Sequence, residues 1–162
     1  MVSKSAYRDA MTRFGAAVNV ITSDGVAGRC GFTASAVCSV TDEPPTLLVC
    51  INRNSDSHPI ITANKVLCVN TLSPAQQELS PLFGGQVECN PEMRFAAASW
   101  DVLETGSPVL ADATVTFDCR VSGITEIGTH SVMFCEVVAL RQGPTPEALI
   151  YFGRDYHPVG RR

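Results

Sequence analysis

Basic charge is in short supply. Twelve Lys and Arg stand against sixteen Asp and Glu, for a net charge of −4. That balance argues against a nucleic-acid-binding surface. Long hydrophobic runs are missing too: none approaches the roughly 20 residues that span a bilayer. The first stretch, MVSKSAYRDAM, lacks the apolar core of a signal peptide, so a cytoplasmic protein is expected. The seven cysteines contain no C-x-x-C pair, and their number is odd. Most sit inside apolar runs such as TLLVCI and VLCVN, which predicts buried thiols in a reducing compartment. Neither disulfides nor a zinc site is expected. No G-x-G-x-x-G follows the first strand and no regular βαβ alternation is visible, which argues against a doubly wound nucleotide-binding fold. There is no Ser–His–Asp order, no carboxylate pair and no metal-ligand cluster, so hydrolytic chemistry has little to stand on.

What is present is an ordinary globular composition of 162 residues, 45% hydrophobic and 17% charged, which predicts one domain over 1–162. Tyr7, Met11 and Phe14 recur at helical spacing before Gly15, predicting a first helix. AVNVITS (17–23) alternates like a strand, and Asp24-Gly25 marks a hairpin that returns through Gly28. The Pro44-Pro45 pair is expected to break pairing. TLLVCI (46–51) and VLCVNTL (66–72) are short apolar strands, read as buried on both faces. Ser57 is expected to cap a short helix running to about Ala63, with His58 exposed in its first turn. Ser73-Pro74-Ala75-Gln76 is a capping-box start for a helix ending at Phe83. Residues 86–112 read as irregular, with one helical turn from Met93 to Ala98. In TVTFDCRVS (114–122), Val115, Phe117, Cys119 and Val121 form an apolar face opposite Thr114, Thr116, Asp118 and Arg120. A second long strand, Ser131–Leu140, follows a tight link. ALIYF and RDYH close the chain. Strands joined by short turns and outnumbering the helices predict a mainly β, Greek-key-like antiparallel barrel with a few peripheral helices.

Three constellations could carry chemistry. GFTASAVCSV (31–40) has no charge and is rich in small residues, with Thr33, Ala34 and Ser35 at its centre. Such a stretch can bring backbone donors close to a flat ligand, and close packing under a neighbouring strand fits the same composition. Cys50-Ile51-Asn52-Arg53-Asn54-Ser55 follows an apolar strand. The Arg53 fork with Asn52 and Ser55 suits a phosphate, and a solvated turn is the alternative. Gly128-Thr129-His130 sits between two strands. The imidazole either contacts something planar that Gly128 lets approach, or is a polar turn residue. His157, beside Tyr156 and Arg154, carries a weaker signal.

The runs AAVNVITSDG, CGFTASAVCSVTDEPPTLLVCIN, CVNTLS, LFGG, GTHSV and LIYF-x-R-x-YH resemble the short-chain flavin reductase components of two-component flavin-dependent monooxygenases. The similar branches serve oxygenases acting on 4-hydroxyphenylacetate, on chlorophenols and in pyrimidine-ring utilisation. The resemblance covers about Tyr7 to His157; residues 86–92 depart from the pattern. It implies an FMN-binding split β-barrel, a homodimer, and reduction of FMN or FAD by NADH or NADPH. A separate oxygenase component then receives the reduced flavin. It also implies roles for single residues. Thr33, Ala34 and Ser35 contact the isoalloxazine edge, while Cys50, Asn52, Arg53 and Ser55 belong to the turn that holds the ribityl phosphate. Phe83 lies near the flavin, His130 binds the nicotinamide, and Arg154 and Tyr156 flank the site. No residue of the chain is then a catalytic acid or base, because hydride passes directly from nicotinamide to flavin and the cofactors own the chemistry. Two other readings stand beside it. One is a flavin- or haem-binding module on the same barrel without turnover. The other is a pyridoxamine-phosphate oxidase-like enzyme, which would need more basic residues at the phosphate site than Arg53.

Overall fold

The computed structural model describes residues 1–160. Its framework is a seven-stranded antiparallel sheet in the order β3 (Cys30–Ala34), β2 (Asn19–Ser23), β6 (Val66–Thr71), β9 (Val115–Ile127), β10 (His130–Gln142), β5 (Pro45–Asn52) and β4 (Val37–Asp42). Its two edge strands, β3 and β4, are consecutive in the chain and joined only by Ser35 and Ala36. In a flat sheet they would lie roughly 29 Å apart at the usual strand spacing. Three peptide steps from Ala34 to Val37 reach at most about 11 Å. The sheet must therefore roll up until its edges meet, which makes the expected barrel. The uncharged stretch singled out in the sequence is the seam of that barrel and not one continuous strand.

A three-stranded sheet covers one end, with β11 (Glu147–Phe152) between β1 (Ala16–Ala17) and β12 (Asp155–Gly160). The first helix, α1 (Lys4–Met11), packs outside and buries none of its residues. Ile21, Val49, Ile51, Leu67, Met133 and Cys135 fill the barrel. A second cluster around Leu72, Phe83, Phe95 and Leu149 lies beneath the covering elements.

Several local expectations change under tertiary packing. β2 is buried along its whole length, although its sequence alternates, because β3 and β6 flank it and other elements cover both faces. β5 is not buried on both faces: Val49 and Ile51 point into the barrel, while Leu48 and Cys50 line a groove outside it. The proline pair does not break pairing, since Asp42 opposes Pro45 in a tight β4–β5 hairpin. Ser57 is the first residue of α2 (Ser57–Asn64), after Asp56 at the N-cap. The capping box at Ser73 is present, but it opens a 3-10 turn over Pro74–Gln76. The helix proper, α3 (Leu79–Phe83), starts later, because Pro81 has no N–H to continue a ladder back to Gln77. Residues 86–112 contain α4 (Pro91–Ala96) and a ribbon of β7 (Trp100–Val102) and β8 (Pro108–Leu110). Asp118 lies on the face of β9 read as polar, yet is fully buried.

Candidate active site

The floor begins with Gly31, whose reason is packing. A Cβ there would come within 2.8 Å of the Phe83 ring. Phe83 itself is buried, edge-on to Phe95 with ring centroids 5.4 Å apart, and also packed against Trp100. It supports the floor from below, with its ring buried. For Gly31 the close-packing reading of the small residues holds.

The open part of the floor is further on. Thr33 Oγ1 donates to the Ser80 carbonyl at 2.6 Å, so its one hydroxyl proton is engaged. The Tyr156 hydroxyl donates to Ser80 Oγ at 2.8 Å. Ser80 thus ties together the floor strand, α3 and the C-terminal hairpin. A recess of about 240 Å³ beside this knot is lined by Thr33, Ala34, Ser35, Gly84, Tyr151 and Tyr156. Ser35 and Ala36 lie between strands. Their carbonyls accept from the Val37 and Cys50 N–H groups, while their own N–H groups fall outside the strand ladders.

On the other side of Ser35 and Tyr151 opens a groove of about 810 Å³. Its floor is Ser35, Ala36, Leu48 and Cys50, and its wall is formed by Met11 and Phe14 after the helix stripe of α1. Among the described residues, two charged side chains line it, Arg8 and Arg154, and no carboxylate does. In a chain of net charge −4, that is a local positive field. Cys38 also lines the groove. Burial, and secondarily Cys38, push the Cys50 thiol upward, so it stays neutral at the floor.

The strand register extends this floor. Residues directly opposite on paired strands share a face. Cys50 opposes Val132 and Asn52 opposes His130, so His130 and Asn52 continue the face of Leu48 and Cys50. The two-residue turn Gly128-Thr129 delivers His130, with Gly128 at φ +57°. Thr129 Oγ1 and His130 Nδ1 hydrogen-bond each other at 2.8 Å, which holds the exposed ring in place. Arg53 grips this turn from the side. Its backbone N–H donates to the Thr129 carbonyl at 3.0 Å, Nη1 to the His130 carbonyl at 2.9 Å, and Nη2 to the Gly128 carbonyl. At least two of its five side-chain donors are therefore engaged by the protein. Asn52 Oδ1 accepts from the Asn54 N–H, and Ser55 Oγ from the Ser57 N–H.

The structure thus brings Ser35, Cys50 and Arg154 together in the groove, and Thr33, Ala34, Ser35 and Tyr156 in the adjoining recess. Asn52 and His130 share the floor's face. Arg53 and Ser55 stand at its end without lining either cavity. His58 is half-buried where exposure was expected, with its Nε2 paired to the buried Ser131 Oγ at 2.9 Å. His157 folds back on the Phe152 carbonyl. Sequence reasoning missed Arg8, Met11, Phe14 and Tyr151 as lining residues. The signal for two of them, Met11 and Phe14, was an apolar stripe that the globular core does not use: Met11 is 42% and Phe14 71% exposed.

Comparison with known proteins places this geometry. Residues 11–160 match the family described as "Flavin reductase like domain". The chain is 59% identical over 156 residues to an FMN reductase (NADH) RutF of Stutzerimonas stutzeri, covering 96% of this chain and 88% of that one. It is 58% identical to a RutF of the same description from Pantoea ananatis, over 99% of this chain and 84% of that one. Among solved structures, the flavin reductase PheA2 superimposes with a TM-score of 0.88 at 29% identity, covering 99% of this chain and all of that one. A barrel closed at Ser35–Ala36, an acid-free groove and a Gly-Thr-His turn on its floor are thus found on a chain matched across nearly its whole length: the protein belongs to the flavin reductase like domain family.

Proposed function

We propose that this protein is an NADH-dependent FMN reductase of the pyrimidine-utilisation branch, supplying reduced flavin to a separate oxygenase component. The observation that carries the reading is the groove lining: two guanidinium groups, apolar walls, small floor residues, and neither an acid nor a histidine. Such a site binds a flat, anionic ligand and contributes no proton-transfer group of its own. A bound flavin supplies the hydride acceptor, and the nicotinamide supplies the hydride.

The chain's residues do the rest. Ser35 and Ala36 let a ring plane approach the backbone and present N–H groups where negative charge grows. Thr33 and Tyr156, both fixed by Ser80, hold the recess in shape. His130, steadied by Thr129, is placed to position the dinucleotide over the floor. Asn52, Arg53 and Ser55 form the end nearest the ribityl phosphate. A pyridoxamine-phosphate oxidase-like role would need more cations there, whereas the one present, Arg53, is already engaged with backbone carbonyls. Met11, Phe14, Tyr151 and the half-buried Val132 and Phe134 leave an apolar surface around the groove. A second copy of the chain covers it in this reading, making the working form a homodimer. The free cysteines fit a reducing, cytoplasmic setting.

The purified protein should oxidise NADH only when FMN is added, over many turnovers per subunit, with chelator making no difference. The same preparation should sediment as a dimer. Oxidation limited to one equivalent would point to a non-turnover flavin binder. No flavin-dependent oxidation would overturn the reading outright, and a fully active monomer would remove the dimer from it.

A further inference from the structure

The β9–β10 hairpin overhangs the barrel. β9 pairs with β6 as far as Arg120, which opposes Val66. Beyond that, residues 124–130 are all exposed. The register between β9 and β10 slips between Phe134 and Cys135, and a bulge of this kind bends a strand pair. Ser131 is where the arm enters the molecule. It is fully buried, on the face of β10 opposite to that of His130. Among the described residues, two side chains from outside the hairpin hydrogen-bond to residues 124–131: Arg53 and His58. Both come from the segment that follows β5. Arg53 holds the carbonyls of Gly128 and His130 at the tip, and His58 Nε2 meets the Ser131 hydroxyl at the base, at 2.9 Å.

His58 is a fixed post. Three residues further along α2, Ile61 is fully buried in the barrel core. The His58 N–H donates to the Ser55 carbonyl at 3.1 Å, and Thr62 Oγ1 donates to the His58 carbonyl at 2.7 Å. We propose that His58 is a positioning residue: it anchors the start of β10 through Ser131 and so fixes where the exposed His130 ring stands over the floor. Its kinetic consequence rests on the flavin reductase reading, in which His130 positions the dinucleotide. His58 lines neither the groove nor the recess, so it acts through Ser131 and the peptide that joins Ser131 to His130. An imidazole suits the task, because it can donate to or accept from the buried hydroxyl. Without it that hydroxyl is left unpaired, which burial penalises. The arm is exposed and bends at its bulge, so the penalty is relieved by local opening of the arm and not by loss of the barrel.

His58→Phe keeps a ring and removes the hydrogen bond, while His58→Gln places an amide near the Nε2 position and restores it. In steady state with FMN as acceptor, His58→Phe should raise the Michaelis constant for NADH about fivefold, the usual scale for losing one neutral hydrogen bond. The constant for FMN should move less than about twofold, and His58→Gln should recover most of the NADH effect. In a His130→Ala background, His58→Phe should add nothing, because its effect passes through His130. The chain has three histidines, so the His130 ring can be followed by NMR without any ligand. Its Cε1–H signal should broaden in His58→Phe and stay sharp in His58→Gln. A His130 signal equally sharp in both variants would overturn the inference. So would a full fivefold effect in the His130→Ala background, or equal rises in the NADH and FMN constants, which mark a merely structural role. Wild type that fails to oxidise NADH with FMN would instead overturn the reductase reading, and the NMR comparison then decides the anchor on its own.

Discussion

Arg53 shows how much one residue's role depends on its neighbours. From the sequence it suits a phosphate at the end of a strand, with a solvated turn as the alternative. In the fold it also holds the carbonyls of Gly128, Thr129 and His130, a side chain and backbone spanning 77 positions of chain to reach His130. Any flavin phosphate bound at that turn is therefore mechanically linked to His130, the residue we propose to position the nicotinamide. His130→Ala should raise the Michaelis constant for NADH about five- to thirtyfold, as the loss of one positioning contact of about 1–2 kcal/mol implies, with turnover largely kept. Arg53→Ala should weaken FMN more than riboflavin and should also raise the NADH constant, because the turn is released. Arg53→Lys should recover part of the FMN binding and little of the NADH effect, since an ammonium cannot reach two carbonyls in a fork. Steady-state kinetics with both flavins would expose the alternative, in which Arg53→Ala leaves the NADH constant untouched and the grip on the turn has no functional consequence.

At the scale of elements, β9 is the instructive case. Its alternation is real, but the face read as polar is not a solvent face. The β7–β8 ribbon lies over it, and the buried Asp118 carboxylate accepts from the Glu104 and Thr105 N–H groups, both at 2.8 Å, and from Thr105 Oγ1 at 2.5 Å. This carboxylate organises a loop whose backbone donors would otherwise lack partners. Asp118→Ala should lower the unfolding free energy by about 3 kcal/mol, within the range for removing a charged acceptor from buried donors. Asp118→Asn, which keeps one acceptor oxygen, should cost about half as much. Residues 104 and 105 line neither cavity of the site, so flavin-dependent NADH oxidation below the melting temperature should stay near wild type. Urea denaturation gives the stability, and a parallel activity loss without destabilisation would show that β9 communicates with the groove.

For the whole molecule, the cysteines set an alkaline limit. Cys30, Cys68, Cys119 and Cys135 are buried, and the fold holds them as neutral thiols. Burial pushes Cys135 up to about 12 from an ordinary 9.0. Raised thiols bind more protons in the folded than in the unfolded chain above pH 9. Their contribution is therefore fully present below about pH 9 and is lost as pH rises from there towards about 12. Thermal melts at pH 8 and pH 10.5 should show a marked fall in melting temperature. Cys135→Ala, less stable at pH 8 because of the cavity it leaves, should show a shallower fall between the two. An equal slope in the variant would assign the alkaline loss to other groups.

By itself the sequence determined much of what depends on near neighbours. The Gly-Thr-His turn between two strands, the capping box at Ser73, the helix end at Phe83, the short apolar strands and the uncharged 31–40 stretch were all legible. So was the family resemblance, carried by contiguous runs. What the tertiary structure decided is which face of each element is covered and what meets across space. Strand alternation specifies two faces but not which will be roofed, so Asp118 and all of β2 became buried while Leu48 and Cys50 were left facing the groove. The floor's glycine proved to serve the Phe83 ring, and the small residues four and five positions later proved to be the seam that closes the barrel. The groove itself needs α1, the seam, β5 and the β11–β12 turn at once. Arg8 and Arg154 lie 146 positions apart in the chain and share a cavity only because a rolled sheet brings its first helix and its last hairpin to the same end.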